Sequence, residues 1–138
     1  MTDIKPLNWT PEEGIGYTVV RRPDGGMHFT FINASQETLN HWRKFSLEHL
    51  YDSDRLTTNL YDLRALKELP DLALQFAAEV NSDPSVANIR LAVVASNPAV
   101  IEKLRRLSDL NPSGVEMKLF SNLAEAEAWL SRPLTLRV

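Results

Sequence analysis

Residues Ile89-Arg90-Leu91-Ala92-Val93-Val94 decide the fold, because this short apolar run has the length and composition of a buried β-strand. The segment Ser96-Asn97-Pro98 follows it and predicts a helix start, with capping side chains and then proline near the first helical position. Apolar residues between Val100 and Leu107 recur at helical spacing, so we expect this helix to bury one face. A buried strand that leads into an amphipathic helix predicts an α/β fold.

The same pattern occurs once more towards the C-terminus. Val115–Phe120 has the composition of a strand, Ser121-Asn122 offers a cap, and Leu123–Leu130 is predicted to be the last helix. Pro133 ends this helix, because proline cannot continue it. The final residues then form a short tail that could add to a sheet edge.

The N-terminal half of the chain is predicted to hold three further strands and two helices. A hairpin is indicated by two β-rich runs around Pro23-Asp24-Gly25-Gly26, whose residues favour a tight turn. The predicted strands are Ile15–Arg22, Met27–Ile32 and Thr57–Leu63, and the predicted helices are Gln36–Leu50 and a segment that starts at Pro70-Asp71 and ends at Asn81.

These elements predict a single α/β domain with the order β-β-α-β-α-β-α-β-α. Crossover connections are right-handed almost without exception, so the later strands are expected to be parallel and only the hairpin strand antiparallel. The expected sheet is mixed, mostly parallel and five-stranded, with four helices. Residues 1–14 are predicted to be an N-terminal extension, residues 15–131 the domain and residues 132–138 a C-terminal tail.

The composition is that of a globular domain with one hydrophobic core. The chain has 138 residues, of which 43% are hydrophobic and 24% charged. A net charge of −3 with scattered basic residues argues against nucleic-acid binding. The apolar runs are too short for a transmembrane helix, and the opening residues lack the apolar segment of a secretory signal, so we expect a cytoplasmic protein. The absence of cysteine excludes disulfides and thiol nucleophiles.

Four segments, in order, carry a resemblance to a known family and together span about Ile15 to Leu130. They are the hairpin with Asp24-Gly25-Gly26, the strand end Tyr61-Asp62-Leu63-Arg64, the strand Ile89–Val94 and the closing run from Lys118 to Leu130. In this pattern the chain resembles the SpoIIAA-like group of the STAS superfamily, small bacterial domains also described as STAS/SEC14-like.

The resemblance implies a SpoIIAA-like fold and a regulatory role in protein–protein interaction, without enzymatic activity. In the anti-sigma-factor antagonists of this superfamily, a phosphorylatable serine begins the helix that follows the Asp-Leu strand end. This chain has Pro70, Asp71 and Leu72 there, so the resemblance does not carry over serine phosphorylation at this place. Asp71 is either a fixed negative charge at that position or an ordinary acidic residue of a first helical turn.

Polar residues at the predicted carboxyl ends of the strands form the candidate binding site. In an open parallel sheet, ligands sit outside those strand ends. The candidate residues for binding a ligand or partner are Asp62, Arg64, Asp71, Ser96 and Asn97. The alternative is structural, because serine and asparagine before helices are common caps and aspartate is common in turns.

No other group of residues predicts a catalytic, cofactor or metal site. His28, His41 and His49 have no spacing that a metal motif uses. Asp62 follows a strand, as the phosphorylated aspartate of receiver domains does, but Arg21-Arg22 stands where those domains have an acidic pair. We therefore expect no cofactor and no metal.

An apolar pocket is the alternative binding site. Trp42, Phe45 and Phe76 fall at inward positions of the first two helices and could line a pocket for a small hydrophobic, lipid-like molecule, although such residues are also ordinary core. The sequence thus predicts a non-enzymatic module that binds a protein partner, including a second copy of itself. The alternatives are a carrier or sensor of a hydrophobic ligand and an enzyme with an unrecognised site.

Overall fold

The computed structural model describes residues 13–22, 26–50, 57–81, 89–110 and 115–131. These residues form strands and helices in the predicted order. The elements are β1 (Tyr17–Arg21), β2 (Met27–Phe31), α1 (Gln36–Leu50), β3 (Thr57–Asp62), α2 (Asp71–Asn81), β4 (Ile89–Val94), α3 (Pro98–Leu110), β5 (Val115–Phe120) and α4 (Leu123–Leu130).

The strands form one sheet in the order β1-β2-β3-β4-β5, so each strand lies beside its neighbour in sequence. β1 and β2 are antiparallel, and the pairs from β2 to β5 are parallel. The predicted mixed, mostly parallel sheet is therefore confirmed. Residues 23–25 of the predicted hairpin turn lie outside the described residues, but Arg22 N donates to Gly26 O at 2.8 Å across its base.

Helices cover both faces of the sheet, because successive residues of a strand point to opposite sides. On the first face, Leu91 and Val93 pack with side chains of α1, α2 and α3. On the second face, Leu60, Ala92 and Val94 pack against α4. The mostly apolar sequence of β4, in which Arg90 is the one charged residue, follows from this arrangement, since the strand is buried from both sides.

α4 lies over β3, β4 and β5, and among the described residues no helix covers the hairpin strands on the second face. Val20 of β1 and Ile32, which follows β2, are accordingly exposed. Trp129 of α4 packs against the Phe120 ring and below the Arg90 guanidinium, whose carbon lies 5.1 Å from the Trp129 ring centre. These contacts fix the end of α4 on the sheet.

Capping hydrogen bonds are present at three helix starts, and those at Asn97 and Asn122 are the ones that the sequence predicts. Ser35 Oγ accepts from Thr38 N at 3.3 Å, Asn97 Oδ1 from Ala99 N at 2.9 Å, and Asn122 Oδ1 from Glu125 N at 2.8 Å. Each bond satisfies a backbone donor that the first helical turn leaves without an intrahelical partner.

The start of α1 is also tied to the residue before β1. Gly16 N donates to Thr38 Oγ1 at 2.9 Å, and Thr38 Oγ1 in turn donates to Asn33 Oδ1 at 2.7 Å. A side chain at position 16 would not fit, because its Cβ would lie 2.1 Å from Asn33 Nδ2. This bonded group fixes how the chain passes from the hairpin into α1.

The predicted terminal segments lie mostly beyond the described residues. Of the N-terminal extension, residues 1–12 fall outside them, and the whole tail, residues 132–138, does so too. The division of the chain into these segments thus stays a prediction. Within the described ranges, no helix is long and apolar enough to cross a membrane.

Candidate functional site at the carboxyl edge of the sheet

The five predicted site residues lie around the carboxyl ends of β3 and β4. These strands are parallel and in register, with Asp62 opposite Val94. Leu63 N donates to Val94 O at 2.8 Å, so the two chains stay joined just beyond the strand ends. Arg64 lies in the loop between β3 and α2, and Ser96 and Asn97 lie in the loop between β4 and α3. We call Asp62, Arg64, Asp71, Ser96 and Asn97 the rim.

Asp62 and Arg64 form a two-point ion pair at the centre of the rim. Arg64 Nε and Nη2 donate to Asp62 Oδ1 and Oδ2 at 2.9 and 2.8 Å, and Arg64 N donates to Asp62 Oδ1 at 3.1 Å. The Asp62 side chain is 11% exposed and that of Arg64 46% exposed. These hydrogen bonds from Arg64 hold the pKa of Asp62 below its usual value. The carboxylate is thus engaged inward, while the guanidinium stays at the surface.

Ser96 and Asn97 have structural contacts in the loop after β4. Ser96 Oγ donates to the Arg64 backbone carbonyl across a long distance of 3.5 Å, which links the two rim loops. Asn97 caps α3, as the sequence indicates. The Ser96 side chain is exposed, so it can also contact a partner.

Asp71 lies at the first residue of α2 and pairs with Lys103 of α3. Its carboxylate is 76% exposed, and Lys103 lowers the pKa of Asp71 through a hydrogen bond and its charge. A negative charge does therefore stand at this helix start. Lys103 offsets it, so the surface here presents an ion pair rather than an isolated acid.

The rim offers charge and hydrogen bonding rather than acid–base chemistry. Both carboxylates are bonded to cations, and both have lowered pKa values, which makes them weak proton acceptors. No group of three or more histidine, aspartate or glutamate side chains in the described ranges is close enough to hold a metal ion.

A separate apolar cavity of about 80 Å³ lies between the sheet and α2. Its lining comes from strands β2 to β5, helices α1 to α3 and the loops that follow β2 and β3. Trp42 is part of the lining, as the sequence predicts, and Trp42 Nε1 donates to Tyr61 Oη at 3.2 Å. Burial raises the pKa of the Tyr61 phenol. Leu63, Leu66 and Leu69 also line the cavity, and their regular spacing in the loop is a sequence signal that was not used in the prediction.

Phe45 and Phe76 do not line this cavity. Phe45 is buried among the rings of the hairpin, with its ring centre 6.1 Å from that of Phe29. Phe76 is half-buried on α2, and the Arg43 guanidinium lies 5.5 Å from its ring centre. Of the three aromatic residues predicted to line one pocket, this cavity includes Trp42 and neither phenylalanine, because helical spacing indicates the inward face of a helix but not the residues it packs against.

Comparison with known proteins supports the fold. No protein-family model matches the chain, and a search of curated proteins gives no match either. One similar solved structure is an uncharacterised DUF3478-family protein with a SpoIIAA-like fold from Shewanella loihica PV-4. It shares 17% sequence identity at a TM-score of 0.61, over 88% of this chain and 99% of that chain. This chain has a SpoIIAA-like fold.

A second similar structure is an anti-sigma factor antagonist from Mycobacterium paratuberculosis. It shares 19% identity at a TM-score of 0.58, over 83% of this chain and 93% of that chain. The resemblance to SpoIIAA-like domains that the sequence indicates is thus confirmed at the level of the fold. At these identities the SpoIIAA-like fold does not by itself assign an activity.

Proposed function

We propose that this SpoIIAA-like domain is a non-enzymatic regulatory module that binds a protein partner through the rim. The observation that carries the proposal is the Asp62–Arg64 pair, which holds an exposed guanidinium in one orientation at the carboxyl edge of the sheet. A charged group that is already ordered loses less conformational freedom on binding. The neighbour named an anti-sigma factor antagonist supports a regulatory role of this kind.

The charges of the rim favour a partner with polar, charged complementarity. Arg64 adds a cation and Ser96 an exposed hydroxyl on the loops after β3 and β4. Asp71 at the start of α2 adds an ion pair with Lys103 in the middle of α3. Such surfaces set specificity and association rate through complementary charge. A second copy of this chain is one partner that such a surface can take.

The two alternatives from the sequence have less support. A lipid carrier needs a pocket of about 300–1,000 Å³, whereas the apolar cavity measures about 80 Å³. An enzyme that used the rim carboxylates would need one of them free to accept a proton, and both are bonded to cations. Protein binding requires neither a large pocket nor a free carboxylate, so it is compatible with these contacts.

Charge reversal tests the proposal. Immobilised wild-type protein, the Arg64→Glu variant and the Lys44→Glu variant are incubated with extract of the source cells, and retained proteins are identified by mass spectrometry. Lys44 is exposed on α1 away from the rim, so its substitution matches the change in charge. A retained protein is then purified, and its affinity is measured by calorimetry. We expect Arg64→Glu to weaken binding about tenfold or more, a loss of ~1.4 kcal/mol.

Folding of each variant is checked by circular dichroism, because Arg64 also supports the loop after β3. If Arg64→Glu unfolds, Ser96→Arg blocks the same surface without breaking the ion pair. Equal affinity of the wild-type protein and the rim variants would contradict the proposal. Native mass spectrometry of the same samples reports self-association, and a dimer that only the rim variants lose would make a second copy the partner.

A further inference from the structure

α2 spans the first face of the sheet without filling the space beneath it. Its main neighbours are α1 and α3, not the strands. Among its described side chains only Ala73 is buried, whereas Leu72, Leu74 and Phe76 are half-buried. The residues of α2 that line the cavity include Ala73 and Ala77, whose methyl groups are short. The cavity therefore results from small side chains on the helix that covers it.

Two ion pairs hold α2 to its neighbouring helices. Arg43 of α1 pairs with Glu79, and Lys103 of α3 pairs with Asp71. α2 is thus connected at both sides by surface contacts, while among its described side chains one is buried in the core and four others are only partly buried against it. This construction keeps the space beneath the helix open.

The lining selects for an apolar occupant. Leu63, Leu66, Leu91, Val93 and Leu104 contribute only hydrocarbon. The polar side chains of the lining, Trp42 and Tyr61, bond to each other. A charged or strongly polar group would enter without a compensating hydrogen bond, which is unfavourable. An apolar group would instead gain the dispersion contacts that the lining residues lack.

The volume limits the size of the occupant. An engineered cavity of about 150 Å³ lined by similar side chains stays dry and binds benzene or xenon. The cavity beneath α2 measures about 80 Å³, roughly half as much. It is too small for a fatty acyl chain and suits a compact molecule.

We propose that the cavity beneath α2 is a binding site for a small uncharged apolar molecule, no larger than benzene. The site is distinct from the rim, and the inference goes beyond the proposed function. An occupant would contact α2 and the loop after β3. It would therefore stabilise the folded state, because it binds that state alone.

Xenon is the probe for the test, with methyl NMR as the readout. Xenon pressure is expected to shift the methyl signals of Leu66, Leu91 and Leu104 in the wild-type protein. Ala77→Leu adds three carbon atoms inside the cavity and is expected to abolish these shifts. Gln75→Leu adds an apolar side chain at an exposed position of the same helix and is expected to leave them unchanged.

Two results would overturn the proposal. One is the absence of xenon-induced shifts at the lining methyl groups of the wild-type protein. The other is equal shifts in Ala77→Leu and Gln75→Leu, which would place xenon elsewhere. If Ala77→Leu does not fold, Ala77→Val replaces it and is expected to reduce the shifts. Dodecanoate is expected to cause no shifts at these methyl groups, and shifts with it would refute the size limit.

Discussion

Arg22 Nη1 lies 2.8 Å from Glu127 Oε1 and joins the hairpin to α4 across 105 positions of sequence. Arg22 is 8% exposed and the Glu127 side chain 45% exposed, so the cation is the buried member of the pair. The contact lies on the second face of the sheet, at the border between the part that α4 covers and the part that stays open. It fixes the orientation of α4 relative to the hairpin.

Glu127→Ala is expected to lower the free energy of unfolding by about 1–2 kcal/mol. The buried Arg22 guanidinium loses a charge-assisted hydrogen bond, although the exposure of Glu127 limits the effect. Glu125→Ala, two residues away and exposed, is the matched control and is expected to stay within ~0.5 kcal/mol of the wild-type protein. Urea unfolding measures both, and equal losses in the two variants would contradict the role of the ion pair.

The pKa of His28 is expected to lie below its usual value in the folded protein. Burial of the ring lowers the pKa of His28 from 6.5, with Arg22 and Arg64 in the same direction, while Glu127 and Asp62 oppose the shift. Below about pH 6.5 the unfolded chain therefore binds a proton that the folded chain does not, and stability falls until His28 is protonated in both states.

NMR titration of the His28 ring tests this expectation. Glu127→Gln removes a carboxylate that favours the imidazolium, so it is expected to lower the pKa of His28 further. Glu125→Gln, which changes charge to the same extent on the exposed side of α4, is expected to have no effect. A His28 pKa at or above 6.5 would refute the prediction.

Thr38→Val is expected to destabilise the protein by about 1–3 kcal/mol. The variant keeps the shape of the fully buried side chain but removes the oxygen that accepts from Gly16 N and donates to Asn33. Thr18→Val at an exposed position of β1 is the control, and we expect a change within ~0.5 kcal/mol. Thermal and urea unfolding give both values. Similar losses at the two positions would mean that the Gly16–Thr38 bond contributes nothing specific.

The Asp62–Arg64 pair is expected to make the protein sensitive to acid. Because the pKa of Asp62 is lowered from 3.8 in the folded state, its contribution to stability is complete above that value. The contribution is lost as the pH falls through the lower pKa of the folded protein. Urea unfolding between about pH 7 and pH 2.5 measures this loss, and Asp62→Asn is expected to reduce it.

Asp71→Asn is the comparison for this experiment, because Asp71 also has a lowered pKa but is far more exposed. We expect a smaller reduction in acid sensitivity than for Asp62→Asn, and one that about 1 M salt largely removes. Identical pH profiles for the wild-type protein and Asp62→Asn would contradict the importance of the rim pair.

The sequence predicts the elements well where burial and capping leave a local signature. β4 is identifiable because it is buried on both faces, and Asn122 and Asn97 are identifiable because a cap precedes an apolar stripe. The local sequence of a helix does not determine which face of the sheet that helix covers. Nothing in Leu123–Leu130 by itself indicates that α4 packs opposite the other three helices, because that depends on the path of the connection.

The candidate site was predictable only in part for the same reason. Strand ends place Asp62 and Ser96 on one edge, but the pairing of Asp71 with Lys103 depends on the packing of α2 beside α3. The cavity depends on the small side chains of Ala73 and Ala77. In the sequence, these alanines indicate only a preference for helix. Phe45 and Phe76 lie at inward positions of their helices, but the sequence does not indicate which residues they pack against.

The strand order has a consequence for how the chain acquires its structure. Every strand pairs with the one that precedes it in sequence. Each new strand–helix unit can therefore pair with a strand that has already been synthesised. During synthesis the sheet can therefore grow in one direction, without waiting for a distant strand to insert. α4 is the last of the described helices, and Glu127 on it forms an ion pair with Arg22 next to β1, at the other end of the sheet. We expect the formation of this contact to be the step at which the domain becomes cooperatively folded.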